Sequence, residues 1–232
     1  EAIKAQKVTE AEQEKEVADC LAWSGKRPVE WLLDNAELDK HWCLIHATHM
    51  TESETRDLAR SGAVAGLCPT TEANLGDGLF NLPQYTESGG RFGIGSDSHI
   101  SVNMIEELRM LEYGQRLMRR ERTIVRTDDE PHAGAFLFKS AIQGGAQALG
   151  AATGGIAPGN RADFIMLDTK QPTLHGRKNE TLLDTMVFAT NSNPISDVFA
   201  GGQHIVRNFD TIQNNNTSIQ YKKTGGGPNA DM

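Results

Sequence analysis

The chain has little of what marks a secreted, membrane-bound or nucleic-acid-binding protein. Its three cysteines, Cys20, Cys43 and Cys68, are widely separated and odd in number. Such spacing gives no disulfide framework and no CxxC metal pair, so a reducing, cytoplasmic compartment is expected. No apolar run approaches the length of a membrane span and no signal peptide is visible, so no membrane partner is expected. Positive charge is scarce. The formal net charge of -8 argues against a nucleic-acid partner, because phosphate calls for a basic surface. A starting methionine is also missing: the chain opens on Glu1, which fits a piece cut from something longer. What remains is 232 residues, 38% of them hydrophobic, enough for one large or two small globular domains.

Read in order, residues 1–19 are rich in Glu, Lys, Ala and Gln and predict a largely solvated helix. Pro28 opens a short helix whose Trp31, Leu32 and Leu33 should pack inward. Trp42 to His46 (WCLIH) predicts a buried strand, and Thr51-Glu52-Ser53-Glu54 a helix start with Leu58 and Ala59 on its inner face. A second strand runs from Ala63 to Cys68 and ends at Pro69. Pro69 to Gly78 then suits a polar loop shaping a pocket, or an ordinary turn. Phe92 to Asp97 is a third strand. Strands alternating with helices at this spacing predict βα units around a parallel sheet.

Helices follow from about Met104 to Arg122 and from Ala133 to Leu149, with Ala, Phe and Gly on the second one's packing face. His132 is expected to cap a helix or face solvent. At Gly150 the character changes. A turn-rich loop leads to a strand at Phe164–Asp168, and Gly201-Gly202 suits a hairpin turn within Ser196–Arg207. The expected organisation is residues 1–150 in a barrel-like part, 151–210 in a small β subdomain and 211–232 in a disordered tail.

Candidate chemistry centres on Gly93-Ile94-Gly95-Ser96-Asp97, where a short apolar strand ends at a carboxylate and hands over to a helix. In α/β barrels, chemistry sits at the C-terminal ends of strands, so Asp97 is a candidate catalytic group. Its alternative is to cap the next helix. His46 closes its own strand as Asp97 does, while His49, in the loop beyond, suits a cap or a stacking role. Glu12 looks like one of many charged helix residues.

Together, AEQ…EVADCLAWSG…PVEWLL, HWCLIHATHMTESE, GLCPTTEANLGDG and GIGSDSH…EELRMLEYGQRL closely resemble the formimidoylglutamate deiminase branch of the amidohydrolase superfamily. GGIAPGNRADFIMLD is similar to the superfamily's return from barrel to small β-domain. The resemblance covers roughly residues 11–207 and implies an α/β fold. This is the C-terminal half of a (β/α)8 barrel with a small β-sandwich-type subdomain. It implies hydrolysis of N-formimino-L-glutamate to N-formyl-L-glutamate and ammonia, a step in histidine breakdown, with one zinc activating water. Carried over, Asp97 is the metal-binding acid and also takes the water's proton. Glu12 shuttles a proton to the departing nitrogen, and His46 orients and polarises the attacked group.

The departures are as specific. The family holds zinc with a His-x-His pair, a histidine three residues before the Glu, and the Asp. Here no two of the seven histidines stand two residues apart, and Thr9 occupies the third position before Glu12. A full barrel needs about 250 residues, and only about 150 precede the β-domain here. Most zinc ligands are therefore expected to be missing, and the chain alone is expected neither to hold zinc firmly nor to turn over substrate. Other readings stay open: a purine-ring or triazine deaminase of the superfamily, a non-catalytic piece pairing with another subunit, or an inert product. The residues that bind the substrate carboxylates and the oligomeric state, including a homodimer of full-length relatives, are left open.

Overall fold

The computed structural model describes residues 15–151 and 154–212. Residues 15–24 are the described part of the first helix, α1. α2 (Pro28–Asn35) follows with Pro28 in its first turn and Glu30 reaching back to the Arg27 amide. The first sheet holds β1 (Cys43–Ile45), β2 (Val64–Leu67) and β3 (Arg91–Ile94) in that spatial order. All three are parallel, with Ile45 opposite Gly66 and Leu67 opposite Ile94. α3 (Glu52–Ser61), α4 (Pro69–Leu75) and α5 (Leu82–Glu87) make the connections between them. The expected βα units are thus present as part of a barrel.

α3 shows why the local sequence folds as read. Thr51 Oγ1 accepts from the Glu54 amide at 3.3 Å, and the Glu54 carboxylate accepts from the Thr51 amide at 2.7 Å. This reciprocal box satisfies two donors the helix start would otherwise leave orphaned. Gly62, in the left-handed region at φ 83°, closes the helix. Leu58 and Ala59 are buried, as the pattern required.

α6 (Met104–Arg119) and α7 (Ala133–Ala148) pack beside the sheet. α7 lies directly on β3, and a Cβ built on Gly144 would stand only 1.9 Å from the Phe92 carbonyl oxygen. Only glycine permits that approach. The core beneath gathers Leu58, Ala65, Leu67, Phe92, Leu108 and Leu137.

The second sheet is antiparallel, with β4 (Phe164–Leu167), β5 (Ile195–Ala200), β6 (Gln203–Arg207) and β7 (Asp210–Thr211) in sequential order. Gly201 and Gly202, at φ 57° and 78°, form the two-residue turn expected between β5 and β6.

Several expectations need correction. β1 is not a buried strand: it borders its sheet, and Ile45 is 56% exposed. In α2 no residue is fully buried, and Trp31, Leu32 and Leu33 are half-buried. Pro69–Gly78 is mainly helix rather than loop, because Pro69 occupies the first turn of α4, where its missing N–H costs nothing. α8 (Glu180–Ala189) lies within the stretch assigned to the β subdomain, yet its Met186 and Val187 sit in the barrel-side core. Arg109 of α6 fastens it by donating to the Val187 and Thr190 carbonyls at 2.7 and 2.5 Å. Thr211 belongs to β7 rather than to a tail, and residues 213–232 lie outside the described residues.

Candidate functional site

The three parallel strands bring their C-terminal ends to one rim. Just beyond β1 the His46 amide donates to the Gly66 carbonyl at 2.8 Å, and just beyond β3 the Gly95 amide donates to the Leu67 carbonyl at 2.9 Å. The ladder therefore fixes the backbone up to the site. Past it the chain bends sharply: His46, Ala47 and Asp97 all adopt left-handed φ values, 63°, 51° and 46°. Non-glycine residues held there cost on the order of 1 kcal/mol or more each, and such strain clusters at sites that must aim a side chain.

His46 Nδ1 lies 3.1 Å from Glu72 Oε1, and the same oxygen accepts from the Cys68 amide at 2.9 Å. Glu72 is buried, which raises its carboxyl above the ordinary range; the bonds from the Cys68 amide and His46 pull the other way. His46 Nε2 faces Asp97 Oδ2 at 3.7 Å. Cys68 completes the rim from the end of β2. Burial, and then the negative charge of Glu72 and Asp97, push its thiol up to about 11. One ligand atom from each of His46, Cys68 and Asp97 lies within 4.8 Å of the others.

The supporting contacts are backbone-anchored. Thr71 Oγ1 donates to the Ser96 carbonyl at 2.8 Å, which ties α4 to the loop carrying Asp97. Thr70 gives both its amide and its hydroxyl to the buried Glu107 carboxylate of α6, at 2.9 and 2.5 Å. On the other side, His46 joins Arg27, Leu44, His49, Glu54 and Asp77 around a cleft of about 390 Å³. Arg27 donates to Glu54 Oε2 at 3.0 Å and also to the His49 carbonyl, so it clamps the loop beyond His46.

Of the residues singled out from sequence, His46 and Asp97 meet, and Glu12 lies outside the described residues. Asp97 does not cap the next helix. That role falls to Asn103, whose side chain accepts from the Ile105 amide at 3.0 Å. His132 stands at the start of α7 without a side-chain cap bond and instead pairs with Asp184 of α8 at 2.6 Å. Cys68 and Glu72 were missed. The available signal was position: Cys68 follows an apolar strand just as His46 and Asp97 do.

The donor set is of a kind zinc accepts. Imidazole, thiolate and carboxylate are all zinc ligands, and three protein donors leave a fourth position for water. A carboxylate behind the imidazole, as Glu72 stands behind His46, is the usual way a ligating histidine is oriented. From sequence, Asp97 alone is the expected ligand, and His46 is expected to polarise the attacked group.

Imidazole, thiol and carboxylate groups thus gather at the C-terminal ends of parallel βα strands, where α/β barrels carry their chemistry. The sequence matches the amidohydrolase family over residues 4–205, and the chain belongs to that family. It is 51% identical over 197 residues to the formimidoylglutamate deiminase of Pseudomonas aeruginosa, covering 85% of this chain and 44% of that protein. It is 30% identical over 203 residues to the 5-methylthioadenosine/S-adenosylhomocysteine deaminase of Bacillus cytotoxicus, covering 85% of this chain and 45% of that protein. Among solved structures, an amidohydrolase from Brucella melitensis superposes with a TM-score of 0.79 at 46% identity, over 85% of this chain and 43% of that one. The chain thus spans less than half the length of these relatives. Among the described residues no helix is long and apolar enough to cross a membrane.

Proposed function

We propose that the chain is the C-terminal part of a formimidoylglutamate deiminase-like hydrolase, which converts N-formimino-L-glutamate and water to N-formyl-L-glutamate and ammonia. The observation that supports it is the meeting of His46 Nε2 and Asp97 Oδ2 on one rim, 3.7 Å apart, with Glu72 behind the imidazole. When bound, zinc supplies hydroxide near neutral pH. Asp97 would serve as a ligand to that ion and as the acceptor of the water's proton. Glu72 holds the Nδ1 proton of His46. For His46 to polarise the attacked group it must also donate from Nε2, and it is the imidazolium that carries both protons. Glu72 and Asp97 thus flank the His46 ring with two carboxylates. Glu12 carries the proton to the departing nitrogen.

Turnover also requires groups that hold the substrate carboxylates, and this chain spans less than half of its relatives' length. The chain alone therefore does not turn over. Ammonia release from N-formimino-L-glutamate is the test. A full-length protein containing these residues is expected to be active, and His46→Asn and Asp97→Asn to lose about 10²–10⁴-fold, the range of general acid–base catalysis. Faster release from guanine or 5′-methylthioadenosine would move the reading to another deaminase of the family. Activity in the isolated chain would refute the division of the site.

A further inference from the structure

We infer that a cleft bounded by α6, the loop after it and α8 binds the phosphate group of a small anionic ligand, held by Arg116 and Arg122. The cleft measures about 310 Å³ and shares no lining residue with the one beside His46. Charge gathers there against the trend of the chain. Five arginines stand against one glutamate in residues 116–126, whereas the whole chain carries a formal net charge of -8. Two of the five, Arg116 and Arg122, line the cleft.

A single buried acid sets both cations. Glu112 accepts from Arg116 Nε at 2.6 Å and from the Ile124 and Val125 amides at 2.9 and 2.8 Å. It therefore fixes Arg116 and the loop that carries Arg122 together. The Arg116 guanidinium also lies over the Tyr113 and Phe188 rings, 5.4 and 5.1 Å from their centroids. With Nε committed, its two terminal nitrogens remain as donors, and among the described residues they make no hydrogen bond or ion pair. Arg122 is exposed and makes none either. Thr123, which also lines the cleft, is held in the left-handed region at φ 58°, where a β-branched residue is an outlier. Such outliers cluster where a ligand is clamped.

Two guanidiniums with free forks suit a phosphate dianion, whose three outer oxygens accept paired bonds; one fork alone satisfies a carboxylate. The cleft is larger than a bare phosphate, and Phe188 and Pro131 give its wall apolar surface for a small organic body. Asp184 lines it too but is already engaged, accepting from the Gly134 amide at 2.7 Å and pairing with His132 at 2.6 Å. The positive charge is thus left for a ligand. The shared chemistry is a phosphate dianion, supplied as a monoester or as free phosphate. The site stands independently of the deiminase reading, because its test does not involve turnover.

The test titrates the 232-residue chain with glycerol 3-phosphate and with inorganic phosphate by calorimetry, at an ionic strength held constant with sodium chloride and with glycerol as the blank. Expected is saturable binding at one equivalent. Tighter binding of glycerol 3-phosphate assigns the cleft to a phosphate ester, and the reverse assigns it to free phosphate; either ranking upholds the site. Arg122→Gln removes an exposed side chain without a bonded partner and is expected to weaken binding by about 10–100-fold, the loss of a charge-assisted contact. Arg116→Lys keeps a cation beside Glu112 but loses the fork, and should weaken binding by about tenfold. Arg120→Gln changes an exposed arginine outside the cleft and should leave affinity within about twofold. Circular dichroism checks folding, and if one cleft variant does not fold, the other decides. Absence of saturable binding of both phosphates, unchanged affinity in a folded Arg122→Gln or Arg116→Lys chain, or an equal loss in Arg120→Gln would each overturn the assignment.

Discussion

Replacing Glu54 by glutamine tests how the loop beyond His46 is held. Glu54 is 5% exposed and accepts from Arg27 Nε at 3.0 Å, the Thr51 amide at 2.7 Å and the Glu30 amide at 3.1 Å. It therefore joins the starts of α2 and α3 and, through Arg27, the His49 carbonyl. Glutamine also serves in a capping box, so the substitution removes charge and one acceptor while sparing the helix start. A hydrogen bond to a charged acceptor contributes about 1.5–3 kcal/mol against about 0.5–1.5 for a neutral one. Across three donors the difference sums to about 3–4.5 kcal/mol at pH 7, or about 6–18 °C in Tm for a chain of this size. Burial pushes the Glu54 carboxyl up, but the bonds from Thr51, Arg27 and Glu30 together hold it below its ordinary value of 4.5. A depressed folded-state pKa means the unfolded chain binds the proton first as pH falls. The stabilisation is thus fully present above about 4.5 and is lost as pH drops through the lower, folded-state value. Urea denaturation of both proteins from pH 7 downward should show the difference constant to about pH 5 and then closing. A difference under about 0.5 kcal/mol at pH 7, the ordinary scatter of surface substitutions, would refute the clamp. So would one that does not close in acid.

Two other perturbations probe the frame. Glu112 is fully buried and accepts from Arg116 Nε at 2.6 Å and from the Ile124 and Val125 amides at 2.9 and 2.8 Å. Glu112→Ala strands all three donors and is expected to cost about 3–5 kcal/mol, read as a lowered urea midpoint. Adjacent glycines in α7 should respond with opposite sign. Gly144→Ala meets the Phe92 carbonyl and should cost about 3 kcal/mol by forcing the helix off β3. Gly145→Ala meets nothing within 4 Å and should gain about 0.5–1 kcal/mol from helix propensity, both changes being read by thermal unfolding.

What was legible in the sequence is what depends on neighbours along the chain. Thr51 and Glu54 announce α3 because a capping box is local chemistry, and Gly201-Gly202 announces its hairpin because the turn needs two positive φ values. The strand-end character of His46 and Asp97 was readable for the same reason. Burial was less so. WCLIH is apolar enough for a central strand, but β1 stands at the border of its sheet, and strand order is not written in any one strand. α8 was drawn into the β subdomain because β strands flank it in sequence, whereas its Met186 and Val187 answer to the barrel-side core. Cys68 carried no motif at all. Its meaning comes from pairing, since β2 lies between β1 and β3 and so brings the thiol within 4.8 Å of the imidazole and the acid.

The electrostatics of the rim follow from how its acids are satisfied. Glu107 and Glu72 are both buried, a costly place for a carboxylate without compensation. Each is compensated where a strand turns into α4: Glu107 by the Thr70 amide and hydroxyl, Glu72 by the Cys68 amide. Those donors stand at Cys68 and Thr70, within three residues of the end of β2, so the acids are placed with little freedom to move. Glu72 then spends its remaining capacity on His46 Nδ1, which turns Nε2 outward to Asp97. A buried acid backing an imidazole that faces a second, half-exposed acid leaves excess negative charge beside one nitrogen and one sulfur. Such an arrangement favours a group of positive charge at the rim over a further anion.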